Sequence, residues 1–221
     1  MLAFDNVFQP ELTDIMQNNF KFRGTWHSSY FKNQNPIVLE LGCGKGEYTI
    51  ELSKIFIQKN FIGIDIKGAR MWKGAKTAFD NNYSNVAFIR TRVEFLNLFF
   101  DSNEISEIWI TFPDPQLKTQ RTKKRLTSPE FLNLYRKILK PNGLVHLKTD
   151  NDILHDFTLR LLIFNNIEIV SHSNDLYNSE LIDNVLSIKT FYENKFLSHN
   201  ENINYISFKL SNNIAVKAYA S

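Results

Sequence analysis

From Pro36 onward, short apolar runs alternate with longer amphipathic stretches, and no other feature restricts the possible folds as much. Residues 37–41, 61–65, 86–90, 105–111 and 144–149 have strand length, and most are apolar nearly throughout, as in strands covered on both faces. Between them, 47–58, 67–81 and 128–139 have helical periodicity, with a short turn at 93–100. Ser128-Pro129 is an N-cap followed by proline at the first helical position, and Lys140-Pro141-Asn142-Gly143 reads as a helix stop and turn. A further helix at 151–164 precedes late strands at 167–173 and 203–210. Such alternation predicts an α/β fold: a mostly parallel, doubly wound sheet of about seven strands with helices on both faces. Ligands of such sheets sit beyond the carboxyl ends of the strands, where the strand order reverses.

With 221 residues, 43% of them hydrophobic, the chain can bury one sizeable core. We expect a single domain over 36–221, preceded by a basic N-terminal arm over 1–35 that carries Lys21, Arg23-Gly24-Thr25-Trp26-His27 and Lys32. The net charge of +3 is too small to argue for nucleic acid by itself, so the placement of charge matters more. The single cysteine, Cys43, excludes an internal disulfide and a cysteine-based metal cage. No signal-peptide pattern and no apolar run of membrane-spanning length stands out, so a soluble, cytoplasmic protein is expected.

The first strand runs into Glu40-Leu41-Gly42-Cys43-Gly44-Lys45-Gly46-Glu47. Glycines at 42, 44 and 46 permit tight turns and close approach of backbone to a ligand. Dinucleotide-binding loops space their glycines Gly-x-Gly-x-x-Gly to seat a pyrophosphate. Here the spacing is Gly-x-Gly-x-Gly behind an acid, which suits S-adenosylmethionine, a ligand with no phosphate and an amino group that Glu40 could serve. Asp65 closes the second strand, 25 residues after Glu40, where an acid can bind a ribose diol. Thr91 or Arg92, after the third strand, could approach an adenine. Cys43 is expected to fill space, since no histidine lies near it in sequence.

The fourth strand stops at Phe112-Pro113-Asp114-Pro115, where two prolines should hold Asp114 in one stiff, extended conformation. Five of the eight residues that follow, from Lys118 to Arg125, are cationic: Lys118, Arg121, Lys123, Lys124 and Arg125. A rigid acid beside a basic run suits a polyanion held by its phosphates. Asp150 closes the neighbouring strand, either beside Asp114 or as a helix cap. Thr190-Phe191-Tyr192-Glu193 combines a hydroxyl, two aromatics and an acid, which can hold an extruded base. Spacing alone favours core positions for Phe191 and Tyr192. The five histidines lack metal-ligand spacing, so no metal site is expected.

These motifs, in order, resemble those of the bacterial tRNA (guanine-N7)-methyltransferases. The signature runs Glu-x-Gly-x-Gly-x-Gly, Gly63-Ile64-Asp65, Phe112-Pro113-Asp114-Pro115, Lys123-Lys124-Arg125-Leu126, Thr149-Asp150 and Thr190-x-Tyr192-Glu193, spread from about Trp26 to Phe208. The resemblance implies a Rossmann-like class I methyltransferase that methylates guanosine 46 in the tRNA variable loop. It implies S-adenosylmethionine contacts at Glu40, Asp65, Asp114 and around Thr91, and tRNA contacts at Lys118, Asp150 and Thr190 to Glu193, with Asp114 the active-site acid. Asp150 and Glu193 would then accept hydrogen bonds from the guanine, and the basic run and N-terminal arm would meet the tRNA. The expected state is a monomer or homodimer without an obligate protein partner. Departures are Gln116-Leu117 where many members have Trp-Pro, Thr119, Gln120 and Thr122 at often basic positions, and Thr91 where an Asp is common. Competing expectations are a catalytically silent RNA-binding subunit, a methyltransferase for another base, and a nicotinamide-dependent oxidoreductase.

Overall fold

The computed structural model describes residues 4–18 and 20–219. Its centre is one eight-stranded sheet formed by β1 (Val7–Phe8), β2 (Ile37–Leu41), β3 (Asn60–Asp65), β4 (Val86–Arg90), β5 (Ile105–Thr111), β6 (Leu139–Thr149), β7 (Ile169–Ser173) and β8 (Asn204–Leu210). The spatial order is β1-β4-β3-β2-β5-β6-β8-β7. The first six strands run parallel, and β8 is antiparallel to both of its neighbours. From β2 the chain winds outward through β3 and β4, then returns to start β5 on the other side of β2. The switch point therefore lies between β2 and β5.

Both faces of the sheet are covered. Ile37, Leu39 and Leu41 of β2 enter the main core with α4 (Leu96–Phe99), α5 (Pro129–Ile138) and α6 (Asp152–Phe164). Val38 points the other way, towards Tyr48 and Leu52 of α2 (Glu47–Ile55), and α3 (Gly68–Asp80) packs Met71 and Ala75 on Val86 and Phe88. Burial on both sides explains why these strands lack polar alternation. Among the described residues no helix is long and apolar enough to cross a membrane.

Two expectations are corrected. The N-terminal segment, expected as an arm ahead of the domain, packs into it: β1 pairs with the edge strand β4, and Ile15 of α1 (Leu12–Asn18), Phe20, Trp26 and Phe31 join the main core. The Trp26 indole donates to the Phe99 carbonyl at 3.0 Å, the Gly24 and Trp26 amides donate to Glu104 at 3.0 and 3.2 Å, and Arg23 pairs with Asp101 at 3.0 Å. Aromatic burial supplies the reason, for Phe8 meets Phe20, Phe22, Trp26 and Tyr30 edge-on. The turn at 140–143 is real, but it lies inside β6. Ile105 pairs with Leu139 and Glu107 with Leu144, so the intervening residues bulge out, with Asn142 at φ 58°.

Candidate active site

Glycine is required at the end of β2 for two reasons. Gly42, Gly44 and Gly46 all have positive φ (75°, 54° and 71°), where other residues are strained. At Gly46 a Cβ would also stand 2.7 Å from the Phe88 ring and 3.2 Å from the Gly74 Cα. The Gly42 and Cys43 amides donate to the Ile64 carbonyl, folding the loop over the end of β3. Asp65 clamps it there: its carboxylate accepts from the Gly44 amide at 2.9 Å and from the Lys67 amide at 2.7 Å. Cys43 is buried against this loop, and burial pushes its thiol well up, which keeps it inert.

Glu40 joins the two strands of the switch point. It accepts from the Thr49 amide at 2.8 Å, from the Thr49 hydroxyl, and from the Thr111 hydroxyl of β5 at 2.8 Å. Burial pushes its carboxyl up to about 7; the hydrogen bonds from Thr49 and Thr111 oppose that rise, and the charge of Asp65 adds to it. Thr49 and Thr111 escaped the sequence analysis. Their one visible signal is a hydroxyl residue in the first turn after the glycine loop and another just before Phe112-Pro113.

On the far side of the switch point, Asp114 is exposed and accepts from the Gln116 amide at 3.0 Å. The extended conformation expected of Asp114 is preceded by a sharp turn in the backbone. Phe112 has φ 49°, a left-handed conformation that is costly for a bulky residue. Its amide donates to the Lys148 carbonyl at 2.8 Å and its ring lies 5.7 Å from that of Phe196, and these contacts hold the turn. Asp150 is half-buried at the end of β6, and burial raises its carboxyl.

A cleft of ≈ 330 Å³ gathers these groups: Glu40, Gly42, Gly44, Asp65, Asp114 and Asp150 line it, with Thr190, Phe191 and Tyr192 opposite. Gly46 packs behind it. Thr91 lies outside the lining, and its amide donates to the Asp65 carbonyl at 3.1 Å. Phe191 and Tyr192 are 53% and 40% exposed, against the core preference of their spacing. The Lys45 ammonium stands 3.8 Å from the Phe191 ring centroid, and the Phe191 amide donates to Glu47 at 2.8 Å. Both partners were missed in the sequence.

Two residues expected at the ligand point elsewhere. Glu193 caps α7 (Phe191–Ser198) together with Thr190, is fully buried, and pairs with Lys148 at 2.7 Å. Its carboxylate is thereby withdrawn from the cleft, so the guanine contact expected of it is corrected. Arg125 is buried rather than free for a phosphate. It donates to the Pro115 carbonyl at 3.0 Å and lies 4.5 Å from the Phe157 ring centroid, bracing the Asp114 turn from behind. Lys118, Arg121, Lys123 and Lys124 remain exposed, the last three on a 3-10 turn, Thr119–Lys124. A larger depression of ≈ 610 Å³ lies between that turn, α6 and Tyr219. No glycine loop borders it.

A parallel sheet that reverses order beside a glycine loop, with an acid closing each adjacent strand, defines a class I methyltransferase domain. Solved structures share the fold: the 16S rRNA methyltransferase KamB superposes with a TM-score of 0.66 at 12% identity, covering 87% of this chain and 95% of its own. An antibiotic-related methyltransferase gives 0.59 at 16% identity, covering 83% and 92%. Residues 34–206 match the family model described as "Putative methyltransferase". The tRNA (guanine-N(7)-)-methyltransferase of Christiangramia forsetii is 52% identical over 94% of this chain and 93% of its own length. That of Porphyromonas gingivalis is 49% identical over 95% and 86%. The chain belongs to the tRNA (guanine-N(7)-)-methyltransferase family.

Proposed function

We propose that this protein methylates N7 of guanosine 46 in the variable loop of tRNA, in the cytoplasm, using S-adenosylmethionine. The observation that carries the proposal is the convergence of acids from four neighbouring strands, β3, β2, β5 and β6, on one cleft: Asp65, Glu40, Asp114 and Asp150. This donor set fits a cationic ligand bearing a ribose. Glu40 and Asp65 would hold its amino and hydroxyl groups, while Gly42 and Gly44 leave room for close approach. When bound, S-adenosylmethionine supplies the methyl group on its sulfonium.

Guanine N7 has a free lone pair, so the chain needs no general base, and its task is alignment. Methylation makes the purine cationic, and Asp114 would stabilise that charge. With Glu193 withdrawn, Asp150 is the carboxylate left to accept from guanine N1–H and the exocyclic amine. Phe191 and Tyr192 offer exposed faces for stacking. Lys118, Arg121, Lys123 and Lys124 would meet tRNA phosphates.

The test is methyl transfer from labelled S-adenosylmethionine to unmodified tRNA transcripts, followed by nucleoside analysis. Seven-methylguanosine is expected, and none from transcripts lacking guanosine 46. Methyl on another base would replace the substrate, and cofactor binding without transfer would favour a silent RNA-binding subunit.

A further inference from the structure

Lys148 lies within β6, between Leu147 and Thr149, and all three residues are fully buried. A buried ammonium has three protons to satisfy. Lys148 donates to the Leu186 carbonyl at 2.9 Å, to the Ile188 carbonyl at 3.2 Å, and to Glu193 at 2.7 Å. All three acceptors belong to one segment, 186–193, which leads into the cleft wall of Thr190, Phe191 and Tyr192. Glu193 in turn accepts from the Tyr177 hydroxyl at 2.8 Å and closes the Thr190 cap. The backbone of Lys148 serves the other wall, because its carbonyl accepts from Phe112, two residues before Asp114. Asp150 follows two residues later, just past the end of that strand. A buried ion pair adds little stability over well-packed apolar side chains, so stability does not account for a lysine here. Its directional bonds do: an apolar residue could fill the space but could not fix where 186–193 sits.

We infer that Lys148 is a positioning residue that seats the 190–192 wall against the strand end carrying Asp150, and so sets the width of the guanine-binding half of the cleft. The inference rests on the proposed assignment of that half to the tRNA guanine.

Replacing Lys148 alone strands the Glu193 carboxylate in the interior and threatens the fold. The double variant Lys148→Met/Glu193→Gln removes both charges, keeps an oxygen for the Thr190 amide, and turns an amide N–H towards the Tyr177 hydroxyl, which then accepts. Two readouts are needed: hydrogen–deuterium exchange over 186–193 in the protein alone, and steady-state kinetics with each substrate varied. Losing the bonds to a charged donor should speed exchange there by about tenfold or more and raise the KM for tRNA by about tenfold. The KM for S-adenosylmethionine should stay within about twofold, since Glu40 and Asp65 are untouched. Unchanged exchange, or faster exchange with an unchanged tRNA KM, overturns the inference. An equal rise in both KM values also overturns it, because that marks general damage. If the wild type methylates no tRNA, the assignment of the cleft falls, while the exchange data still decide whether Lys148 seats the segment.

Discussion

The two halves of the cleft are built differently. On the β2–β3 side every acid is already engaged: Glu40 holds Thr49 and Thr111, and Asp65 holds the Gly44 and Lys67 amides. On the β5–β6 side Asp114 is exposed, with one backbone bond from Gln116, and the neighbouring cations stand in solvent. The first half is preorganised, as suits a small ligand of invariant shape. The second is stiff in its backbone but open at its side chains, as suits a large polyanion that completes the site when it docks. On the proposed assignment, rigidity on one side and access on the other would separate cofactor binding from substrate capture.

The sharpest way to break this contrast is Asp114→Asn. It should leave S-adenosylmethionine binding within a few-fold while methyl transfer falls about 10²–10³-fold, the scale of losing one group aimed at developing charge. Single-turnover kinetics with a parallel binding titration would show it, and near-normal turnover would move the chemistry to Asp150. On the preorganised side, Gly46→Ala forces a Cβ against Phe88 and strains a left-handed residue. A loss of roughly 2–3 kcal/mol in stability is expected from denaturant unfolding. An unperturbed midpoint would show that the loop is softer than its geometry.

Glu40 makes the contrast measurable by pH. With its folded carboxyl at about 7 against an ordinary 4.5, the folded state holds this proton more tightly, so its contribution to stability declines as pH rises from 4.5 to 7. A cationic ligand favours the ionised form and must expel the proton below pH 7. Affinity for S-adenosylmethionine should therefore weaken by about tenfold per unit as pH falls below 7, with proton release visible by calorimetry in buffers of different ionisation enthalpy. A flat profile in wild type, matching Glu40→Gln, would remove Glu40 from the ligand. The smallest effect belongs to the open side: Lys124→Ala should lower the slope of log tRNA affinity against log salt by about 0.7–0.9. The same change at Arg125 should act mainly on stability, because Arg125 braces the turn from within.

The central strands were legible because burial on both faces leaves them uniformly apolar, and the acids were legible because each closes such a run. What stayed hidden was whatever a distant partner decides. Arg125 is indistinguishable in sequence from Lys123 and Lys124, and only the depth of the Pro115 carbonyl and Phe157 separates it. Glu193 reads as a ligand-facing acid until Lys148 is placed beneath it. A lysine inside an apolar strand was the available signal, since a buried ammonium demands an acceptor. The N-terminal aromatics carry no regular periodicity, so nothing local marks them as core.

The docking of that N-terminal segment has a consequence during synthesis. Trp26 has its hydrogen-bond acceptor at Phe99, 73 residues later, and Phe8 must wait for β4. At roughly 5–20 residues per second, the ribosome leaves this aromatic cluster without its partners for about 4–15 seconds. These aromatics therefore stay uncovered until β4 and Phe99 have been translated, and chaperone demand should concentrate on them over that interval.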